Sequence, residues 1–234
     1  MPIRLKDTDV VVIGLGMAGG LILAAPTATG VFARETKKPG ADEAAAPPEQ
    51  LMRGHAILAR VLLIYENGLR RAGQGEDIDP AVFTRAAEIT KRFIHDHQEK
   101  VEEELVFARF KKAGRMVEIV GVLTSQHAAG AKLTEKILAA APQARNKDPR
   151  EAMSKDVQAL CAMYRPHMAR EATDVFPTLR HLVTADEYAE IADEMMKRER
   201  QAVGADGFET VAKQVAEVEK VIGIQDIGVF TPKS

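Results

Sequence analysis

His167 and Glu171 have the types and spacing of a metal-binding pair. They lie four residues apart in the segment HMARE, so on a helix their side chains leave the same face. The pair can supply an imidazole nitrogen and a carboxylate to one metal ion, or one ligand to each of two ions. Carboxylates combined with imidazoles suit iron or manganese better than copper. Further ligands for such ions must then come from other parts of the chain.

Other histidines fall on apolar helix faces. The chain has only six histidines in 234 residues, so the position of each is informative. His55 aligns with Leu51 and Leu58, and His127 aligns with Leu123. The ordinary interpretation of any single one is a core histidine that hydrogen-bonds a neighbour. Because a buried polar group is costly unless satisfied, one shared metal that satisfies several of them at once is the stronger hypothesis.

In the segment FIHDHQEKVEEELVF, residues 93–107, the sequence does not decide which side chain would bind a metal in addition to Glu102. At about 100° per residue, Gln98 lies about 40° to one side of the buried direction of the helix and His97 about 60° to the other. Glu102 shares the side of Gln98. Three arrangements follow: Gln98 binds weakly through its amide oxygen, a helix rotation or a π-bulge turns His97 inward, or water fills this coordination position.

The remaining polar residues of this segment are predicted to face solvent. His95 points well away from the buried direction. The acidic residues form a charge run of the kind that is usually a solvated face, and only Glu103 is held as a reserve ligand: Glu99, Glu103 and Glu104.

Helical periodicity begins near residue 48, and no strand pattern appears after residue 35. The predicted helices cover residues 48–72, 80–112, 116–140, 149–182, 184–203 and 208–222. Pro80 suits a first turn, Gly114 a helix end, and TADE at 184–187 a capping box. Four long helices joined by loops of roughly 4 to 10 residues favour an all-α, antiparallel up-down four-helix bundle with two extra C-terminal helices.

The first 33 residues differ from the rest, and three interpretations of VVVIGLGMAGGLILAAP stay open. Residues 1–33 are read as a secretory signal, which predicts an exported or periplasmic protein, or as an uncleaved membrane anchor. Without a signal the protein is expected in the cytoplasm. GLGMAG also fits the dinucleotide pattern G-x-G-x-x-G, but Pro26 interrupts the helix that should follow. Residues 34–49 then form a linker, 50–183 the metal-binding bundle, and 184–234 the C-terminal helices and tail.

Composition excludes several classes of function. A hydrophobic content of 46% with 28% charged residues is ordinary for a soluble globular protein. The net charge of -2, the 5% aromatic content and the lack of Trp give no footprint for nucleic acid. The single cysteine, Cys161, excludes an internal disulfide and a cysteine-based zinc cluster.

Four segments, in this order, carry a resemblance: LMRGHAILARVLLIYE, FIHDHQEKVEEELVFARF, LTSQHAAGAKLTEKI and MYRPHMAREATDVFPTL. They resemble the hemerythrin-like family, also called the HHE cation-binding domain, over about residues 50–180. The resemblance implies a four-helix bundle around a non-haem centre with two iron ions, and the ligand chemistry keeps manganese as the alternative metal. It also implies these metal ligands: His55 on the first helix, Glu102 as the bridging carboxylate of the second, His127 on the third, and His167 and Glu171 on the fourth.

The resemblance further implies binding or sensing of oxygen or a related small oxidant, with a diatomic molecule or a peroxide as the ligand. The chain departs from the family at two positions, because Gln98 stands for a usual histidine and Ala131 follows His127 at i+4. No general acid, nucleophile or substrate pocket stands out, which favours a binding or sensing protein over an enzyme. The alternatives are a mononuclear or lapsed metal site in a structural or interaction bundle and, as the weakest, a nucleotide-linked oxidoreductase through GLGMAG.

Overall fold

Six long helical segments build the part of the protein that the computed structural model describes, residues 45–232. There is no β-strand in this range, which confirms the predicted all-α class. We number the segments α1 (Pro47–Gly73), α2 (81–113), α3 (Val117–Ala140), α4 (147–179), α5 (Ala185–Val203) and α6 (Gly207–Val221). Two short 3₁₀ helices, Ala141–Gln143 and Ile227–Phe230, follow α3 and α6.

Two of these segments are not uniform α-helices. In α2, the α-helical stretch Ala81–Ile89 is followed by the π-helical stretch Thr90–Gln98, then by Glu99–Val101, a second π stretch Glu102–Phe107, and Ala108–Ala113. In α4, Lys147–Arg170 is α-helical, Glu171–Val175 is π-helical and Phe176–Leu179 is α-helical again. A π turn closes from i to i+5 and holds one residue more than an α turn. Side-chain directions along α2 therefore depart from the regular spacing of 100° per residue.

Local sequence signals fix where the helices begin and end. Thr184 Oγ1 accepts a hydrogen bond of 3.2 Å from the backbone N–H of Glu187, as the predicted capping box requires. Gly114 ends α2 in the left-handed conformation with φ of 61°, which a residue without Cβ adopts at little cost. Pro80 directly precedes α2. At the other end of the bundle, α1 begins at Pro47, inside the predicted linker 34–49.

The first four segments pack around a common interior. α1 packs on α2 and α4, and α3 packs on the same two neighbours. The C-terminal segments α5 and α6 pack on each other and on α1 and α2. A bidentate ion pair between Arg60 and Glu219 joins α1 to α6 with N–O distances of 2.8 and 2.6 Å. The two extra helices thus cover one side of the four-segment core.

The apolar interior is divided into two clusters. One cluster contains Leu58, Ile94, Ile137 and Tyr164 together with many others. The second contains Leu51, Leu105, Leu123 and Phe176. Each of the four segments contributes residues to both clusters. The predicted metal ligands lie in the parts of these segments where one cluster gives way to the other. The fold therefore reserves a polar layer inside an otherwise apolar core.

No helix between residues 45 and 232 combines the length and apolar character that crossing a membrane requires. The interpretations of residues 1–33, including GLGMAG, and most of the predicted linker lie outside the described residues.

Candidate metal centre

Five of the predicted ligands come together in the polar layer between the two apolar clusters. They are His55 from α1, Glu102 from α2, His127 from α3, and His167 and Glu171 from α4. All five are buried, and Glu171 is 0% and Glu102 1% exposed. Carboxylates are almost never this deeply buried unless they are paired or bind a metal.

The five residues form two ligand groups that share Glu171. His127, His167 and Glu171 form one group, and His55, Glu102 and Glu171 form the other, with the ligand atoms of each group within 4.8 Å of one another. Glu171 Oε2 lies 3.0 Å from His55 Nε2 and 3.1 Å from His167 Nε2. One carboxylate thus contacts imidazoles from both groups.

The second carboxylate also lies between two imidazoles. Glu102 Oε1 is 3.7 Å from His55 Nε2, and Glu102 Oε2 is 3.4 Å from His127 Nε2. Each carboxylate oxygen therefore points toward a different group. This is the arrangement in which two carboxylates can each bind two neighbouring cations.

The hydrogen bonding of the cluster shows why a cation fits it. The Nε2 atoms of His127 and His167 lie 3.2 Å apart, so two atoms that are acceptors in a metal-binding imidazole face each other. Glu171 Oε1 is buried and has no hydrogen-bond partner among the described residues. Unsatisfied buried acceptors are costly. A divalent cation would satisfy these atoms together.

Electrostatics distinguish the two carboxylates. Burial and the neighbouring Glu171 raise the pKa of Glu102. Burial also opposes ionisation of Glu171, but hydrogen bonds with His167 and His55 outweigh it and lower the pKa of Glu171 to about 2. For His55, burial is outweighed by the same two carboxylates, and its pKa rises to about 9. Negative charge in the cluster therefore favours bound cations, whether protons or metal ions.

Two polar side chains hold the imidazole rings from behind. His127 Nδ1 lies 2.9 Å from Glu103 Oε1, and His167 Nδ1 lies 2.9 Å from Gln126 Oε1. Such contacts orient a ligating ring and leave its other nitrogen free for the metal. Glu103, the predicted reserve ligand, thus contacts the far side of a ligand ring. Gln126 was not anticipated from the sequence, although it directly precedes His127.

Position 98 lies beside the cluster and position 97 does not. Gln98 Nε2 donates to Glu102 Oε1 at 2.7 Å and to the backbone carbonyl of Leu51 at 3.3 Å. His97 instead packs against Phe93 and lies next to Arg198 of α5. The anticipated π-helical stretch, Thr90–Gln98, is present and includes His97, but the His97 side chain does not reach the ligand cluster. The arrangement in which His97 turns inward is therefore wrong for this structure.

The solvent-facing prediction for His95 and Glu99 is also wrong. His95 is 6% and Glu99 5% exposed. His95 Nδ1 lies 2.8 Å from Glu99 Oε2, and His95 Nε2 lies 2.9 Å from Thr134 Oγ1. The prediction assumed regular α-helix, whereas the wider turns of Thr90–Gln98 rotate His95 and Glu99 inward.

Comparison with known proteins agrees with this site. Residues 46–179 match the family described as the hemerythrin HHE cation binding domain. The chain belongs to this family. The hemerythrin-like identity expected from the four sequence segments is thereby confirmed, and the buried cluster of histidines and glutamates is compatible with metal binding. The role of each hemerythrin-like ligand remains a prediction, including that of Gln98.

This hemerythrin-like protein is similar to three mycobacterial proteins. Uncharacterised proteins of Mycobacterium bovis and of two Mycobacterium tuberculosis strains are 41% identical to it over 188 residues, which is 79% of this chain and 73% of each relative. No solved structure matches the chain significantly.

Proposed function

We propose that this protein holds a non-haem di-iron centre that binds or senses dioxygen or a related small oxidant. The observation that carries the proposal is the pair of ligand groups sharing Glu171, with Glu102 lying between the same two groups. Imidazole and carboxylate ligands suit iron, and they also suit manganese as the alternative metal. Carboxylate-bridged ion pairs are commonly built inside four-helix bundles.

An antiparallel up-down arrangement of α1 to α4 belongs to the same proposal. Along α1 the chain passes from the second apolar cluster at Leu51 to the first at Leu58. Along α2 it passes back, from Ile94 to Leu105. The remaining two segments repeat this alternation, α3 from Leu123 to Ile137 and α4 from Tyr164 to Phe176. The alternating order supports four helices of alternating direction, with the metal centre midway.

The space beside the cluster supports a very small ligand. A cavity of ≈ 10 Å³ is lined by residues of both ligand groups and by Gln98, Glu99 and Tyr164. A space of roughly 10 to 15 Å³ is what a single water molecule needs. A cavity of this size favours the smallest oxidants, diatomic molecules and peroxide, over larger substrates.

A mononuclear site is the second candidate. The group containing His127 and His167 has two imidazoles, whereas the group containing His55 has one. At that second group, Gln98 points an amide N–H toward Glu102 where a histidine would supply a second imidazole. Because the group of His127 and His167 has more imidazole ligands, it would retain its ion more readily than the group of His55, and the protein would then bind one ion.

Metal stoichiometry tests both candidates. The full chain is expressed in metal-replete medium, purified without oxygen, and assayed for iron and manganese. Two ions per chain are expected, with a visible spectrum that changes in air and again with azide. One ion per chain supports the mononuclear site, and no bound metal overturns the proposal. His181→Ala is the matched control, since this histidine is exposed at the end of α4 and its loss should leave the metal content unchanged.

A further inference from the structure

Two fully buried tyrosines of this protein differ in one respect. The Tyr164 hydroxyl donates to Glu99 Oε1 at 2.6 Å, whereas the Tyr65 hydroxyl has no hydrogen-bond partner within the described residues. A length of 2.6 Å is typical of an O–H group bound to an ionised carboxylate. Glu99 is also hydrogen-bonded to His95, and His95 is hydrogen-bonded to Thr134. A row of four buried polar groups therefore begins at the Tyr164 phenol.

This row adjoins the metal centre. The Tyr164 ring lies edge-on to the His167 ring, with centroids 5.4 Å apart and an interplanar angle of 80°. Tyr164 and Glu99 also line the same small cavity as the candidate ligands. At Gly130 of α3, any added Cβ would collide with the Tyr164 hydroxyl. The chain thus leaves room, at the expense of a glycine inside a helix, for this phenol to reach Glu99.

The chemistry of a buried phenol indicates what the row is suited for. Burial, and then the negative charge of Glu99, raise the pKa of Tyr164, so the phenol keeps its proton in the resting protein. A phenol that loses an electron becomes a strong acid and must release that proton to a nearby base. Glu99 is already in hydrogen-bond contact, so the proton has only to cross one short hydrogen bond. Tyr65 lacks such an acceptor.

We propose that Tyr164 is a redox residue of this centre, giving one electron to it during reduction of hydrogen peroxide and its proton to Glu99. The inference rests on the proposed function, because it requires a redox-active metal at the cluster. Tyr164 is oxidised by one electron to a neutral phenoxyl radical. Its O–H bond breaks, and the proton moves to Glu99 Oε1.

The remainder of the reaction balances in electrons and protons. Peroxide gains two electrons and two protons, its O–O bond breaks, and two waters form. One electron comes from Tyr164, whose ring edge meets the ring of His167, and the other comes from a metal ion whose charge rises by one. Both protons for the two waters come from solvent.

Radical detection with matched tyrosine variants tests the inference. Metal-loaded wild type, Tyr164→Phe and Tyr65→Phe are assayed for metal, mixed with hydrogen peroxide, frozen within seconds and examined by electron paramagnetic resonance. A tyrosyl radical signal that narrows with ring-deuterated tyrosine is expected in wild type and Tyr65→Phe. It should be lost in Tyr164→Phe at unchanged metal content. A third variant, Glu99→Gln, removes the proton acceptor and should slow formation of the radical at least tenfold.

The outcomes separate this inference from the proposed function. Wild-type protein that binds metal, changes its visible spectrum with peroxide and gives no tyrosyl signal overturns the role of Tyr164 alone. A signal that persists in Tyr164→Phe does the same, and a rate unchanged in Glu99→Gln overturns the role of Glu99. Wild-type protein without metal overturns the proposed function and this inference with it. If Tyr164→Phe fails to fold, which circular dichroism would show, a variant carrying both Tyr65→Phe and Tyr188→Phe decides the matter, because Tyr164 is then the only tyrosine among the three of the sequence that remains. A radical signal retained in that double variant supports the role of Tyr164, and its loss at unchanged metal content overturns it.

Discussion

At the scale of single residues, Glu171 is the side chain on which both ligand groups depend. Replacing it by glutamine keeps the volume but removes the negative charge that both groups share. We expect Glu171→Gln to lose both metal ions, whereas His55→Ala should lose only the ion of its own group. The measurement is iron per chain after anaerobic loading. Equal loss in the two variants would contradict the assignment of Glu171 as the shared ligand.

Gln98 stands beside the candidate metal centre at a position where a histidine would add an imidazole ligand. Its amide lies 2.7 Å from Glu102 Oε1, and Gly54 on α1 provides the space it fills, because a Cβ there would collide with it. Gln98→His should therefore bring a new imidazole to the group of His55 and tighten iron binding about tenfold or more, which is within the reach of one added ligand. An iron titration with visible spectra measures it.

The control for this variant is the neighbouring histidine. His97 packs against Phe93 outside the cluster, so His97→Ala should leave the metal content and the spectrum unchanged. If His97→Ala removed metal while Gln98→His had no effect, α2 would be rotated relative to this structure.

Residue-scale expectations were met where spacing alone determines direction. His167 and Glu171 are four apart, and their ligand atoms do meet at 3.1 Å. The predicted solvent exposure of His95 and Glu99 was wrong because hydrophobic periodicity assumes a constant number of residues per turn. A π-helical stretch changes that number without changing the hydrophobic pattern. Gly130, in the middle of α3, was the sequence feature that could have indicated a close approach by a side chain of another helix, here Tyr164, since a helix-interior glycine often has a packing reason.

At the scale of helices, two glycines of α3 offer a direct contrast. A Cβ at Gly130 would collide with the Tyr164 hydroxyl, whereas a Cβ at Gly121 meets no described atom within 4 Å. We expect Gly130→Ala to destabilise the metal-free protein by about 1–3 kcal/mol through overpacking. Gly121→Ala should stabilise it by about 0.5–1 kcal/mol through helix propensity. Urea unfolding of both variants checks the prediction, and a stabilising Gly130→Ala would contradict the placement of Tyr164.

Helix ends were predictable because they are local. The residues Thr184 and Gly114 work through contacts within a few positions of the chain, and both end or begin a helix as expected. For the π-helical stretches the sequence offered a π-bulge near His97 only as one of three alternatives, and it could not decide among them because such a stretch depends on what the opposing helices present. Glu102 and Glu171 each begin such a stretch, so two of the three π-helical stretches among residues 45–232 start at candidate ligands of the cluster, whereas the other starts at Thr90. We infer that the wider turns are tied to the need to aim these carboxylates inward.

At the scale of the whole molecule, the all-α class followed from the sequence because long amphipathic periods leave few alternatives. The placement of α5 and α6 on α1 and α2 did not, since amphipathic patterns show that a face is buried but not which partner buries it. The Arg60–Glu219 pair, which joins α1 to α6, links residues too far apart in the chain for any local pattern to reveal.

The polar layer also makes a prediction about the stability of the whole molecule. All four segments α1 to α4 contribute side chains to the two ligand groups, so a bound ion would tie them together between two separate apolar clusters. A ligand that binds only the folded state stabilises it by about 2.7 kcal/mol at one hundred times its dissociation constant. Metal-loaded protein should therefore melt several degrees above metal-free protein in calorimetry, and a chelator should remove the difference. Glu171→Gln should show no such difference. A melting temperature independent of metal in the wild type would mean that the four segments hold together without an ion at their centre.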